Sequence, residues 1–454
     1  MRIEGARGGA WRPSCKRAAM SFLTRSRRRG LFGILALASG TAVAVACTGG
    51  DGAQGQAGLT GQPGPQGTAG APGPGGGGDG GGSILTGACT QPCHTFGGVV
   101  DQWRFSNHSH PQKNLIGGGA CGNCHAIDGL QQRVANKYAV APDSGTPVNV
   151  PKGHLSYATT AGGVGEIGYG GATTIGLIHC ATCHDFNATN DPHVVGKYVP
   201  GTAAIRVPGG SADTVFIEKS PVAGAVTGQT LSYKAANVCV MCHKSRKDVT
   251  AYITATNVIS SPYWGPHEGP QTDVYSGKGG YQFAGLTYGT SAHAAIGNTC
   301  VGCHMSPVAL NGNVPDHTMK PNVAYCKSCH TTYTGTNFDI QGGRTVVKNA
   351  LSELETALNN LGLLTRSPAA PYSALSEDDL GDAQFNLDRT RPGGNAGANF
   401  TLDAVTAGAL YNYLIIARSK DLGVHNPTYE KQLLWDSIKQ IKGTDPVSLA
   451  ARPM

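Results

Sequence analysis

Paired cysteines, each followed directly by histidine, are the residues whose types and spacing could support chemistry. Five stretches have the form C-x-x-C-H: CGNCH, CATCH, CVMCH, CVGCH and CKSCH. A sixth stretch, CTQPCH, has three residues between its cysteines. The cysteine pairs are Cys89 and Cys93, Cys121 and Cys124, Cys180 and Cys183, Cys239 and Cys242, Cys300 and Cys303, and Cys326 and Cys329. The histidines that follow them are His94, His125, His184, His243, His304 and His330.

The C-x-x-C-H spacing is typical of covalent haem attachment. Two intervening residues let both sulfurs reach the two vinyl groups on one edge of a haem, and the adjacent histidine then becomes the proximal ligand of the iron. Zinc is the alternative, since paired cysteines also form zinc knuckles and ribbons. Zinc sites do not require a histidine after every second cysteine, so the five regular motifs favour haem.

The irregular stretch CTQPCH is interpreted as a sixth haem site, with one extra residue bulged out of the attachment loop. A free thiol pair or a lone metal site are the alternatives for Cys89, Cys93 and His94. With this stretch included, the sequence predicts six haems c.

Nine histidines remain after the six proximal ones, and six irons would need six of them as second axial ligands. Bis-histidine ligation gives low-spin iron that changes oxidation state with little rearrangement, which suits electron transfer. Methionine is a poor general competitor, because the chain has only six.

The composition indicates how such a chain could fold. Only 14% of its 454 residues are charged, 7% are aromatic and 67 are glycine, so an aliphatic core is undersupplied. Residues 84–334 show no sustained helical or strand period. We therefore expect a multihaem cytochrome c fold, with mostly coil and short helices wrapped around a chain of stacked haems.

The last 120 residues have a different pattern. Apolar residues recur at helical spacing from Val347 to Leu361, a second helix is expected from about 402 to 419, and a third is expected to begin at Asn426 and Pro427. The sequence therefore predicts an α-helical region over 336–454, which follows a hexahaem cytochrome domain over 83–335.

The amino-terminal segment is interpreted as an export signal over 1–46, with Met20 as a second candidate start. Four arginines between 25 and 29 precede an uncharged run that ends at Ala46 and is too short for a comfortable membrane span. AVAC resembles a lipobox, which implies lipidation of Cys47; cleavage and release as a soluble protein is the alternative. Either route leads out of the cytoplasm, to the cell surface, outer membrane or extracellular space, with the periplasm as the alternative.

Residues 47–82 form a collagen-like, glycine-rich segment, in which glycine recurs at every third position over 49–76. This segment is expected to act as a tether, and a trimerising triple helix is the alternative. Residues 1–46 contribute +8 to a net charge of +7, so the rest of the chain is nearly neutral. Nucleic acid is therefore not an expected partner.

Two groups of multihaem cytochromes share short stretches with this chain. The sequence from KGH through HCATCHD to DPH and GKY resembles OmcS-type extracellular hexahaem cytochromes, which stack haems into filaments. The stretches WRFSNH, WGPHEGPQ, SAH, DHT and GVHNP resemble the nitrite reductase and octahaem reductase superfamily. These resemblances imply seven candidates for six distal positions: His108, His154, His179, His267, His293, His317 and His425.

The function predicted from these features is electron transfer to or from an external acceptor or partner cytochrome, with a filament or other homo-oligomer as one assembly. An electron carrier is favoured over an enzyme, and no catalytic residue is assigned. The alternative is a multihaem reductase of nitrite, hydroxylamine or a sulfur oxyanion. Ammonia-forming nitrite reductases have a catalytic haem motif that ends in lysine, whereas every motif here ends in histidine.

Overall fold

The structure is a computed structural model, and it describes residues 98–109, 122–125, 130, 157–160, 163–166, 178–186, 191, 204–207, 213–219, 228–260, 264–297, 299–307, 314–365, 384–385 and 400–454. The export signal, Cys47, the collagen-like segment, the CTQPCH motif, Cys121 and His154 lie outside the described residues. The described part is mostly coil with short helices and little sheet, as the sequence predicts.

In the described part of residues 83–335, which is called the haem-attachment region below, there are eight short helices. They are α1 (Val99–Arg104), α2 (Gly122–His125), α3 (Cys180–Cys183), α4 (Asn237–Val240), α5 (Val249–Tyr252), α6 (Gln271–Tyr275), α7 (Thr299–His304) and α8 (Val323–Cys326). Five of them, α2, α3, α4, α7 and α8, contain residues of the five regular motifs. Single turns of 3-10 helix occur at Asn107–Ser109, Lys234–Ala236, Ala292–Ala295 and Ile340–Gly342.

Eight short strands form four two-stranded antiparallel sheets. They are β1 (Tyr157–Thr160) with β2 (Gly163–Glu166), β3 (Val215–Glu218) with β4 (Gly228–Leu231), β5 (Thr256–Ile259) with β8 (Phe400–Asp403), and β6 (Leu364–Thr365) with β7 (Gln384–Phe385). The β5–β8 pair, in register from Thr256↔Asp403 to Ile259↔Phe400, joins the haem-attachment region to the carboxyl-terminal region.

Three long helices follow: α9 (Gly343–Asn360), α10 (Ala404–Ser419) and α11 (Pro427–Lys442). The predicted apolar stripe of α9 is buried, apart from Leu361, which caps the helix and is half-exposed. Residues 400–403 belong to β8, so α10 begins slightly later than the sequence suggests, at the N-cap Asp403. Asn426 caps α11 and Pro427 is its first residue, which confirms the prediction.

The main hydrophobic core lies among α9, α10 and α11, and it also includes Val249, Ile253, Ile259, Trp264 and Val274 from the haem-attachment region. A smaller apolar cluster contains Val215, Ile217, Val238, Val240 and Met241, and motif cysteines pack against it. In the described part of the chain, no helix has both the length and the apolar character needed to cross a membrane.

Candidate haem-binding sites

The attachment motifs share one backbone arrangement, a single helical turn. The amide of the motif histidine donates to the carbonyl of the first motif cysteine at 2.9 Å for His184, 3.0 Å for His243 and 2.9 Å for His330. Residues spaced three and four apart lie on the same face of such a turn. The turn therefore directs both sulfurs and the imidazole of each motif to one side, as attachment to one haem requires.

Ten of the eleven histidines that the structure describes form five close pairs. The paired rings are His108 with His243, His125 with His267, His184 with His317, His293 with His330, and His304 with His425. Each pair contains one motif histidine and one distal candidate. The sequence cannot make this assignment, because most of the partners are far apart along the chain.

The distances within the pairs match two ligands of one metal ion. Ring centroids are between 5.9 and 6.3 Å apart. A metal–imidazole bond is about 2.0 Å long and the ring centroid lies about 1.1 Å beyond the nitrogen, so imidazoles on opposite sides of an ion have centroids about 6 Å apart. Aromatic packing also allows such distances. Packing alone does not explain why each of the five described motif histidines is paired with a histidine from outside the motifs.

Four paired histidines use the Nδ1 atom to donate a hydrogen bond to a backbone carbonyl. The acceptors are Glu268, Val424, Met319 and Pro315, at 2.8, 2.5, 3.0 and 2.7 Å from His267, His293, His304 and His317, respectively. A carbonyl can only accept, so each neutral ring has its proton on Nδ1 and its lone pair on Nε2. Metal-ligating histidines are usually oriented in this way.

Side chains orient two further rings. The Nδ1 atom of His243 lies 3.0 Å from Oε1 of Gln271, whose amide nitrogen donates to the carbonyl of Ser419 at 2.9 Å. The second contact fixes the Gln271 amide with its oxygen toward His243. The Nδ1 atom of His108 lies 3.3 Å from the hydroxyl of Ser106.

A carboxylate faces the remaining oriented ring. The Nδ1 atom of His425 lies 3.3 Å from Oδ2 of Asp421, whose side chain is 4% exposed. Burial and the neighbouring Asp421 raise the pKa of Glu430 well above its ordinary value. Asp421 is therefore the more acidic carboxyl group of this pair.

His179 differs from the paired histidines. Its Nδ1 accepts a hydrogen bond from the amide of Ala181 at 3.3 Å and thereby caps α3. An accepting Nδ1 has no proton, so the neutral ring carries its proton on Nε2, which is then unable to bind a metal. Five of the seven distal candidates are paired with a motif histidine, His179 caps α3, and His154 lies outside the described residues.

The buried rings are suited to act as neutral ligands. Burial lowers the pKa of His243, His304 and His317 below the usual value, because the imidazolium form loses hydration. Neutral imidazole retains the lone pair that binds iron. Burial and hydrogen bonding therefore both favour the neutral form of these imidazole rings.

The described cysteines form no disulfides with one another. Burial raises the pKa of Cys183, Cys300 and Cys303 to about 11, so these side chains are thiols at neutral pH. A thioether forms when such an S–H group adds across a vinyl group.

Within the described ranges, no group of three or more His, Cys, Asp or Glu side chains could hold a metal ion directly. Paired cysteines beside opposed imidazoles fit a planar cofactor with two axial ligands.

The attachment motifs lie close to one another. Cys242 Sγ is 3.9 Å from the carbonyl oxygen of Cys124, so the CGNCH and CVMCH motifs adjoin. Cys183, Cys239 and Cys300 pack against the same apolar cluster. Cofactors attached at these cysteines would be neighbours, which is the requirement for rapid transfer between them.

Sequence reasoning did not identify the groups that orient the rings. Gln271 lies within the stretch WGPHEGPQ and Asp421 lies four residues before His425, a spacing that suggests a side-chain contact. The carbonyls of Val424, Met319 and Pro315 give no signal in the sequence, because every residue has a carbonyl.

Comparison with known proteins supports the haem interpretation. The chain is 25% identical over 354 residues to the C-type polyheme cytochrome OmcB of Geobacter sulfurreducens, covering 70% of this chain and 43% of OmcB. It is 26% identical over 295 residues to the C-type polyheme cytochrome OmcC of the same organism, covering 58% of this chain and 36% of OmcC. The chain thus spans less than half the length of these relatives.

A solved structure is also similar to this chain. The outer cell wall cytochrome OcwA is similar with a TM-score of 0.40 and 18% identity, over 76% of this chain and 50% of that one. No protein-family profile matches the chain. The attachment motifs and the similarity to two polyhaem cytochromes support the interpretation of the chain as a multihaem c-type cytochrome with covalently bound haem c.

Proposed function

We propose that the chain is an exported electron-transfer protein that relays electrons through six covalently bound haems c, to or from an external acceptor or a partner cytochrome. The observation that carries this proposal is the pairing of five motif histidines with five histidines from outside the motifs. The relationship to polyhaem cytochromes supports it.

The proposed axial ligands follow from these pairs. At the five described motifs, a haem would be bis-histidine ligated, with His108, His267, His317, His293 and His425 as the distal ligands of the CVMCH, CGNCH, CATCH, CKSCH and CVGCH haems. His94 and the remaining candidate His154 are assigned to the sixth haem. His179 is the seventh candidate, and its accepting Nδ1 favours a role as a helix cap.

The protein side chains support electron transfer more than substrate conversion. Haem iron supplies a one-electron change of oxidation state. At the five described motifs, the paired imidazoles would occupy both axial positions and would leave none for nitrite, hydroxylamine or a sulfur oxyanion. Hydrogen bonds at Nδ1 hold the rings in one orientation, which limits rearrangement when the charge on the iron changes.

Location and assembly are proposed from the sequence. Covalent haem attachment takes place outside the cytoplasm, in agreement with the export signal and with lipidation at Cys47. The collagen-like segment then serves as a tether to the membrane surface. Other cytochromes or extracellular acceptors are the proposed partners, with a filament as one form of assembly.

The haem number is tested by the intact mass of the mature protein. Six haem adducts on the polypeptide are expected, one for each motif. Five adducts would leave Cys89, Cys93 and His94 without a haem and contradict the sixth site.

The axial assignment is tested by His267→Ala, since His267 is exposed and its replacement should not disturb the core. One five-coordinate, high-spin haem that binds carbon monoxide after reduction is expected, whereas the unaltered protein should bind none. His179→Asn is the matched control, because asparagine also caps helices. A carbon monoxide-binding haem in the control would contradict the assignment of His154 over His179.

A further inference from the structure

A buried carboxylate distinguishes one proposed axial ligand from the others. His425 Nδ1 lies 3.3 Å from Asp421 Oδ2. The Nδ1 atoms of His267, His293, His304 and His317 instead donate to neutral carbonyls. His267 also lies 3.7 Å from the carboxylate of Glu268, but that carboxylate is 61% exposed.

The local backbone holds Asp421 against the ring of His425. The chain leaves α10 through Lys420, which has left-handed backbone angles. The Asp421 carboxylate then accepts hydrogen bonds from the amide of His425, at 2.8 Å, and from the hydroxyl of Ser419. Both donors are neutral groups, so they stabilise a carboxylate at Asp421 without cancelling its charge.

We propose that Asp421 is a positioning residue that lowers the reduction potential of the haem ligated by His304 and His425. This inference rests on the ligation proposed above. A negative charge close to the iron stabilises the ferric state, and burial keeps this charge from being screened by salt.

Reduction of this haem would add one electron and would neither form nor break a bond of the protein. Reduction places the electron on the iron, and Asp421 gains no proton in the proposal. The CVGCH haem would therefore be harder to reduce than it would be without Asp421. Cys300 packs on the same apolar cluster as Cys239. The amide of Asn322, which caps α8, donates to the carbonyl of Cys303 at 3.4 Å. The CVGCH motif accordingly lies next to both the CVMCH and the CKSCH motifs.

The test is a potentiometric titration of Asp421→Asn, followed by absorbance and by the low-spin iron resonances of each haem. Asparagine preserves the shape of the side chain and removes its charge. One haem should become easier to reduce, with at least a tenfold lower oxidised-to-reduced ratio at fixed potential, equivalent to a shift of about 59 mV. The remaining haems should move much less.

Glu268→Gln is the matched control, since it removes an exposed carboxylate near another proposed ligand. Screening by solvent should limit its effect to a small fraction of the Asp421→Asn shift. Equal shifts in the two variants, equal shifts of all haems, or no shift in Asp421→Asn would overturn the inference.

Ser419→Ala provides a second variant if Asp421→Asn fails to assemble. Removing this donor leaves more uncompensated charge on Asp421, so the same haem should become harder to reduce. If the potential of this haem is unchanged in the variant, the inference is wrong. If the haem spectra are still low-spin, the proposed function remains intact. High-spin iron at this haem in the unaltered protein would instead contradict the ligation itself.

Discussion

The side chain of His293 donates a 2.5 Å hydrogen bond to the carbonyl of Val424, the residue directly before His425. His293 is paired with His330, and His425 with His304. In the proposed holoprotein, one short loop would therefore orient a ligand of the CKSCH haem and supply a ligand of the CVGCH haem. A displacement of this loop should affect both haems together.

Gly423→Ala tests this coupling. Gly423 has a φ of +87°, and an added Cβ would lie 2.6 Å from a methyl carbon of Val347 in α9. The left-handed conformation costs alanine about 1–2 kcal/mol, and the clash should also displace the loop. Titration of the haem potentials should show changes at the CVGCH and CKSCH haems and at no others.

Gly443→Ala is the matched control, since Gly443 has a φ of +74° and open space around its Cβ position. It should lose stability for the same backbone reason without altering any haem. Adding Val347→Ala to Gly423→Ala should return the potentials of the CVGCH and CKSCH haems part of the way to those of the unaltered protein. Identical haem spectra in Gly423→Ala and the control would show that the loop does not couple the two haems.

Asn426→Asp should destabilise the carboxyl-terminal region. Asn426 caps α11, and its amide nitrogen donates to the carbonyl of Tyr275 and to the hydroxyl of Thr290. Aspartate preserves the cap but loses both donors in a buried position, at a cost of roughly 1–3 kcal/mol. The thermal midpoint by far-ultraviolet circular dichroism should fall, whereas Asn322→Asp, which changes the partly exposed cap of α8, should leave it nearly unchanged.

Lys219→Met should weaken the support of the CVMCH motif. Buried Lys219 forms an ion pair with buried Asp273 and donates to the carbonyl of Ser245, two residues after His243. Removing the lysine leaves a buried carboxylate without its cation, a loss of about 3 kcal/mol in thermal or urea unfolding. Adding Asp273→Asn should recover part of that loss.

The exposed pair of Lys439 and Asp445 offers the comparison for this prediction. Lys439→Met should cost less than about 1 kcal/mol, because exposed ion pairs contribute little. Equal losses for the buried and the exposed lysine would contradict the structural role of Lys219.

Glu353→Gln should reduce stability at neutral pH and have little effect in strong acid. Although burial alone raises it, hydrogen bonds from Lys442 and Ser448 lower the pKa of Glu353 from 4.5 to about 2. A lowered folded-state pKa stabilises the fold above the unfolded value and loses this contribution as the pH falls through about 2. The thermal midpoints of the variant and the unaltered protein should therefore converge between about pH 4.5 and pH 2. A constant difference across this range would contradict the assigned pKa.

The parts of the fold that could be predicted are those encoded by local patterns. The apolar spacing in α9 and the Asn426–Pro427 start of α11 are local, so both helices follow from the sequence. The pairing of β5 with β8 depends on segments far apart in the chain, and short coil-like strands have no period that reveals it. The histidine types and motif spacing indicated haem, but the choice of distal partner depends on tertiary structure.

The histidine pairs also determine how the chain is cross-linked. In the proposed holoprotein, each haem is fixed to one segment by two permanent thioether bonds and to a second segment by a reversible bond from the distal histidine. Most of these second segments are distant in sequence, so most of the axial bonds would close a large loop of the chain. Unfolding would open the loops while every haem stays attached. On refolding, each distal histidine must then find its own iron among six of similar affinity, and misligated forms are the expected kinetic traps.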